Sequence, residues 1–393
     1  MKILIFSKHF YPENFKINLI SEKLSIDNYV TVFSSNNALS PKNTKKFSEK
    51  KNFKYKGADV FSSSSYIKTN NNSINIFINY LHQVFSTSFT ILKKRKIDFD
   101  FSITFATSPI FQCIPAIILS KIKKKPCILW VQDLWPEVLI DTGYVKNKLM
   151  LTIINFLVKQ IYFSCDHIFV QSKSFKNHLS KVYNLKKIHV LYQPADYDFQ
   201  KYRDFYNKGK YIITYAGNFG TAQEFDTLFE ALIQNMINNN IFFQLIGSGK
   251  LFDNLKTKLN KSKIKNISLY SQKSKFEIGE YLSKSNAFFV SLKDGEALNK
   301  TLPGKLQTYI CYGKPIIAVS NGALSNFIKS NKIGFSSSPN DVINLAKNIN
   351  SSYLMSASDK KKIYNNSKIV YSKYFDVTKI TNKILDVGKK IKC

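Results

Sequence analysis

Three short segments in the second half of the chain could do chemistry on an anion. They are Gly217-Asn218-Phe219-Gly220-Thr221-Ala222-Gln223, Gly247-Ser248-Gly249-Lys250 and Thr301-Leu302-Pro303-Gly304-Lys305, and each follows an apolar run of buried-strand type. Glycines let backbone approach a ligand closely, and free amides at helix starts bind phosphate. Pro303 can open a helix without losing a hydrogen bond, which puts Lys305 in the first turn, where the macrodipole disfavours a cation unless a negative ligand is shared. Three such loops at strand ends of one domain point to a nucleoside diphosphate. Lys273, after the run Ile267–Tyr270, lies at the same edge. Gly247-Ser248-Gly249 lacks both the third glycine and the acidic ribose residue of the dinucleotide fingerprint, which disfavours an NAD site.

The first half contributes carboxylates. Glu13 and Asn14 stand in a long loop after the first strand, Ile3–Phe6. A second loop, Gln132-Asp133-Leu134-Trp135-Pro136-Glu137, follows the strand at 126–131. Two carboxylates and an indole on one loop are costly to bury for stability alone, so Asp133 or Glu13 is expected to orient a substrate hydroxyl, with Asn14, Trp135 and Glu137 beside them. Asp98-Phe99-Asp100 suits a hard cation by composition. It precedes the strand Phe101–Ala106, though, at the end opposite the ligand edge, so no metal site is expected. The five histidines show no paired ligand spacing, and neither a Ser-His-Asp nor a P-loop pattern is present.

These residues must be positioned by alternating strands and helices. At 393 residues the chain fits two α/β domains, expected over 1–205 and 206–375, with a basic amphipathic helix at 376–393. Between Phe288 and Val319 two apolar runs flank a helical pattern that Gly313-Lys314-Pro315 terminates, the grammar of a parallel βαβ unit. Residues 36–73 read as polar with one strand-like piece near 58–62. The formal net charge of +32 favours anionic partners without choosing among them. Five scattered cysteines suggest neither disulfides nor zinc, and no apolar run is long enough to span a bilayer. The expected location is cytoplasmic. A stripe of Ile74, Phe77, Ile78, Leu81, Phe85, Phe89 and Leu92 ending in Lys93-Lys94-Arg95-Lys96 fits either a core helix or one lying on an anionic membrane.

Taken together, FSKHFYPENFKIN, WVQDLWPEVLIDTGYV, YAGNFGTAQEFDTLFEAL, FQLIGSGK and TLPGKLQTYICYGKPIIA resemble the retaining glycosyltransferase family 4, and within it the WbuB/WcaI-like enzymes of O-antigen and capsule assembly. The resemblance implies a GT-B fold, two Rossmann-like doubly wound domains facing across a cleft. The C-terminal one would hold a nucleotide-sugar donor, UDP-linked, and the N-terminal one a glycan or polyprenyl-diphosphate-linked acceptor. The final helix would cross back. It further implies that Lys305 meets the donor pyrophosphate, that Gly217 and Asn218 close over it, and that Gln307 stands where a glutamate contacts ribose. The partner glutamate of that element falls on Asn299, and Thr221-Ala222-Gln223 replaces a basic pair, which loads the phosphate charge onto Lys305. Asp133 takes the place of a histidine near the reacting sugar. No cofactor, metal or nucleic acid is expected. The location would be the cytoplasmic face of the inner membrane, in contact with its anionic lipids. A non-catalytic nucleotide-sugar-binding subunit and a GT-B-fold epimerase are the alternatives.

Overall fold

A computed structural model describes residues 1–35, 52–63, 82, 84–91, 96–145, 147–200, 210–262 and 264–392. The chain divides into two compact units, Met1–Pro194 with Val377–Cys393, and Ala195–Asp376. Most of the 74–96 stripe lies outside the described residues; within it, Phe85 and Phe89 are exposed and Ile91 is buried.

Unit 1 holds an eight-stranded sheet ordered β3-β4-β2-β1-β5-β6-β7-β8. Its strands are β1 Lys2–Ser7, β2 Tyr29–Ser35, β3 Asn52–Tyr55, β4 Ala58–Ser63, β5 Phe101–Ala106, β6 Cys127–Val131, β7 His167–Val170 and β8 Ile188–Val190. All neighbours pair in parallel except β3 and β4, which form an antiparallel hairpin through Lys56-Gly57. That hairpin is one strand more than the polar stretch 36–73 suggests, because Asn52-Phe53-Lys54-Tyr55 is too short and too mixed to announce itself.

Alternate residues divide the two faces. Ile3, Ile5, Phe101, Ile103, Ile128 and Trp130 share one core cluster with Ile17, Ile20 and Leu24 of the helix Lys16–Leu24 and with Ile380 and Ile384 of the helix Val377–Lys392. On the other face Ser102 Oγ and Ser120 Oγ, 2.8 Å apart, tie β5 to the helix Ile114–Lys123. Burial on both faces explains why β5 and β6 are apolar or small throughout. The last helix is thus part of the core of unit 1.

Unit 2 holds a six-stranded parallel sheet ordered β11-β10-β9-β12-β13-β14. These are β9 Tyr211–Ala216, β10 Ile241–Ile246, β11 Ile267–Tyr270, β12 Ala287–Ser291, β13 Ile316–Val319 and β14 Gly334–Ser337. In both sheets the chain winds outward one way and then restarts on the other side of its first strand, between β1 and β5 and between β9 and β12. Such switch points leave a crevice at the strand carboxyl ends, where open α/β sheets take ligands. Ala195–Gln200 belong to unit 2, held by Ala195 N donating to Phe375 O at 3.0 Å and Gln200 N to Cys311 O at 2.7 Å.

Docking of the last helix is testable at Gly388, where a Cβ would fall 2.4 Å from Phe101 Cε1 in the core. Overpacking costs about 1–3 kcal/mol and outweighs the helix-propensity gain of at most about 1 kcal/mol. Gly388→Ala should lower the urea midpoint; an unchanged or raised midpoint would mean that the helix is not seated against β5.

Candidate functional site

Lys305 opens the second residue of the helix Gly304–Ile310, which follows β12 at the switch point of unit 2. Its ammonium sits 3.8 Å from the centroid of the Tyr215 ring and donates to the Tyr215 hydroxyl. Tyr215 in turn donates to Asn218 O at 2.6 Å. Burial lowers the Lys305 pKa to about 7, and no carboxylate contributes to offset it. Lys314 shows what a structurally satisfied lysine looks like in this fold. It is also lowered to about 7 by burial, yet it donates to the carbonyls of Leu282, Ser283 and Ser285 at the end of the helix Lys275–Lys284, where a cation complements the dipole. Lys305 has only a phenol and a ring face. A cation so weakly compensated retains the capacity to pair with an external anion.

The glycine loops build the wall around this ammonium. Gly217 has φ +153°, and a Cβ there would press on Lys305 Cε at 3.1 Å and Nζ at 3.2 Å. Gly247 and Gly249, expected at the phosphates, have a packing role. A Cβ at Gly247 would lie 1.9 Å from Gly217 O, and one at Gly249 2.3 Å from Asn218 Oδ1. The two loops interlock through Phe219 N donating to Ser248 O at 2.8 Å and Leu251 N to Phe219 O at 2.8 Å, so these glycines permit loop-on-loop packing. Beneath them Tyr309, stacked on Phe288, accepts from Ala216 N at 2.8 Å. Neither Tyr215 nor Tyr309 stood out in the sequence, where each reads as one more core aromatic.

The remaining residues expected at the donor site separate into three groups. Asn218 is exposed at the loop tip, Pro303 and Gly304 are partly exposed, and Leu302 is buried. Lys273 stands 3.4 Å from Glu277 in an i,i+4 ion pair. Gln307 is fully buried, with its amide oriented to donate to Pro303 O at 3.0 Å and Gly304 O at 2.7 Å. A ribose contact would require that side chain to leave its own helix turn. Asn299 donates to Asp294 Oδ1 at 2.8 Å, which also accepts from Asn321 at 2.8 Å.

In unit 1 the loops after β1, β5 and β6 converge at the other switch point. Asp133 Oδ2 accepts from Ser108 N at 2.9 Å and Ser108 Oγ at 2.8 Å, and Trp135 Nε1 donates to Ser108 Oγ at 3.1 Å. Burial pushes the Asp133 carboxyl above its usual value against the opposing pull of Ser108 and of His9. Trp135 is buried, edge-on to Phe111, and is a core side chain rather than an exposed platform. Glu137 is paired with His178 at 2.6 Å, which takes it out of the open edge. Glu13 is likewise engaged: its Oε2 lies 2.7 Å from His9 Nδ1, and the His9 ring stacks on Phe15 at 4.7 Å. His9 is the residue that the sequence did not single out. Its i,i+4 relation to Glu13 was visible but lies in a loop, where that spacing carries no geometric meaning. Asn14 is exposed beside them. Asp98 and Asp100 both bond Lys2, through its ammonium and its amide at 2.8 Å each, at the amino end of β5. Among the described residues no three His, Cys, Asp or Glu side chains cluster to hold a metal ion.

Residues 198–369 match the family model of the glycosyl transferases group 1. The second unit is a group 1 glycosyl transferase domain, and the chain is a glycosyltransferase. No curated relative matches the sequence. Among solved structures, the glycosyltransferase is similar to Anabaena HepE in complex with UDP-glucose, with TM-score 0.71 and 13% identity over 99% of this chain and 100% of that one. It is also similar to sucrose-phosphate synthase from Thermosynechococcus elongatus, with TM-score 0.73 and 14% identity over 100% and 99%. The lipopolysaccharide outer core galactosyltransferase WaaB gives TM-score 0.63 and 16% identity over the whole of both chains. What is shared at such identities is the fold, two parallel α/β sheets of GT-B type.

The lowered Lys305 pKa has a measurable sign. Below about pH 7 the ammonium is charged in both folded and unfolded chains, and the folded state bears the full desolvation cost. Between 7 and the ordinary value of 10.5 the unfolded chain holds the proton more tightly, so this contribution to stability improves as pH rises. Lys305→Met should therefore be more stable than the parent below pH 7, by a margin that shrinks towards pH 10.5 in urea titrations. A margin independent of pH would contradict the burial of a charged Lys305.

Proposed function

We propose that this glycosyltransferase moves a sugar from a UDP-linked donor to a hydroxyl of a glycan or polyprenyl-diphosphate-linked acceptor, with retention at the anomeric carbon, in assembly of a surface polysaccharide of O-antigen or capsule type. The observation that carries the reading is the desolvated Lys305 ammonium against Tyr215, framed by Gly217. The UDP-glucose bound by the structurally similar HepE supports the donor class.

In this reading the bond from the anomeric carbon to the diphosphate oxygen breaks as negative charge grows on the leaving diphosphate. Lys305 meets that charge in a half-buried site, where a fixed cation stabilises a transition state more than it would in open water. Asn218 and the Gly217 loop close over the phosphates. The acceptor is held in unit 1. Asp133 has Oδ2 committed to Ser108, which leaves Oδ1 to accept from the incoming hydroxyl. His9, fixed by Glu13 through Nδ1, presents Nε2, which carries no hydrogen bond among the described residues. The reaction needs no divalent ion in this reading: of the two Asp-x-Asp triplets, Asp98 and Asp100 bond Lys2 at the opposite strand end, and Asp196 of the other accepts from Thr308 Oγ1 at 2.5 Å.

Incubation with a panel of nucleotide sugars and a lipid-linked sugar acceptor tests this, reading both nucleoside diphosphate release and glycosylated product. UDP-sugars should be consumed in the presence of EDTA. Asp133→Asn keeps the Ser108 cap in shape but loses the carboxylate charge, and should lower turnover roughly 10²-fold with UDP binding and melting temperature near parental. Parental transfer by Asp133→Asn would leave that carboxylate a cap alone. Epimerised sugar nucleotide without transfer would overturn the reading as a whole.

A further inference from the structure

The helix Lys148–Ser164, KLMLTIINFLVKQIYFS, is apolar on more sides than the described residues of unit 1 cover. Ile154, Val158, Ile161 and Tyr162 are buried. Leu149, Ile153, Phe156 and Phe163 recur at helical spacing on another side and are 71%, 54%, 60% and 49% exposed. A helix that is apolar around most of its girth is normally enclosed. The neighbouring helix Ile114–Lys123 extends the patch with Ile118 and Ile122, 49% and 67% exposed. Lys121 Nζ reaches Ser164 Oγ at 3.4 Å, which joins the two outward faces.

The charge carried by the two helices themselves has one sign. Neither helix contains an acidic residue, while Lys121, Lys148 and Lys159 are exposed among the apolar side chains, and Lys159 Nζ lies 5.9 Å from the Phe163 ring centroid. We infer that this two-helix face is an interfacial membrane contact, seated on a bilayer rich in anionic lipid, with the isoleucines and phenylalanines entering the headgroup boundary and the lysines meeting phosphates. That combination of apolar area and cations is what binds such interfaces. Covering the face with a second copy of this chain by two-fold symmetry would instead bring like lysines together. No helix of the described residues is long and apolar enough to cross a membrane, so this contact is one of lying on the surface.

The inference concerns binding alone and stands whether or not the donor reading does. The test is flotation of the full chain with vesicles of phosphatidylcholine, with and without phosphatidylglycerol, alongside sedimentation velocity. The parent should float with the anionic vesicles, less so in high salt, and remain monomeric without lipid. Phe156→Ser, at an exposed position, should keep the parental melting temperature and weaken anionic-vesicle binding at least about fivefold. Lys148→Gln and Lys159→Gln should weaken it about fivefold each, matching the contribution of one lysine at an anionic surface. Absence of parental binding, equal binding by all variants, or a lipid-free dimer that Phe156→Ser dissolves would each overturn the assignment.

Discussion

One weakly compensated charge organises the strand-end loops of the second unit. A lysine ammonium at the switch point of a parallel sheet is held against a tyrosine ring, with no carboxylate to offset its burial. Much of the surrounding structure follows from keeping it there. Tyr215 must be fixed, and its hydroxyl is fixed by Asn218 O. The loop carrying Asn218 must lie close over the lysine, which only a residue without a side chain at 217 allows. That loop must itself be held, and it is held by the Gly247 loop, which packs on it without a Cβ between them. Lys314, equally buried but bonded to three carbonyls, shows that the fold can satisfy a lysine internally where it has no ligand to receive.

The first unit solves a different problem, that of presenting polar groups from three loops without letting them drift. Ser108 is the common anchor, donating twice to Asp133 and accepting from Trp135. His9 is fixed on both its ring face and its Nδ1, by Phe15 and Glu13. Carboxylates that a sequence offers as reactive are mostly consumed in this way, Glu13 by His9 and Glu137 by His178. Among the described residues, Asp133 Oδ1 and His9 Nε2 carry no hydrogen bond.

Strand runs such as Phe101–Ala106 and Ile316–Val319, and the glycine-bearing loops after them, were legible in the sequence because burial on both faces and turns at strand ends leave strong local patterns. The unusual placement of Lys305 was legible for the same reason, a cation in the wrong helical turn. Other features were not, because they depend on contacts distant in sequence. Gly247 reads as a phosphate glycine, and its packing against Gly217 O cannot be read from the sequence. Gln307 reads as a ribose ligand until its burial in its own helix turn is seen. Trp135 reads as an acceptor-side residue beside Asp133, and its bond to Ser108 and its burial become visible only in the fold. The helix Lys148–Ser164 has the composition of a core helix, and only the exposure of its outer side among the described residues distinguishes it.

Calorimetric titration of UDP into the parent and into Lys305→Ala at neutral pH is the most direct test of the central claim. A charge-assisted phosphate contact contributes about 2–3 kcal/mol, so the variant should bind roughly 30- to 150-fold more weakly, with its fold intact. Equal affinity for UDP in the two proteins would show that the ammonium on Tyr215 is not the diphosphate site.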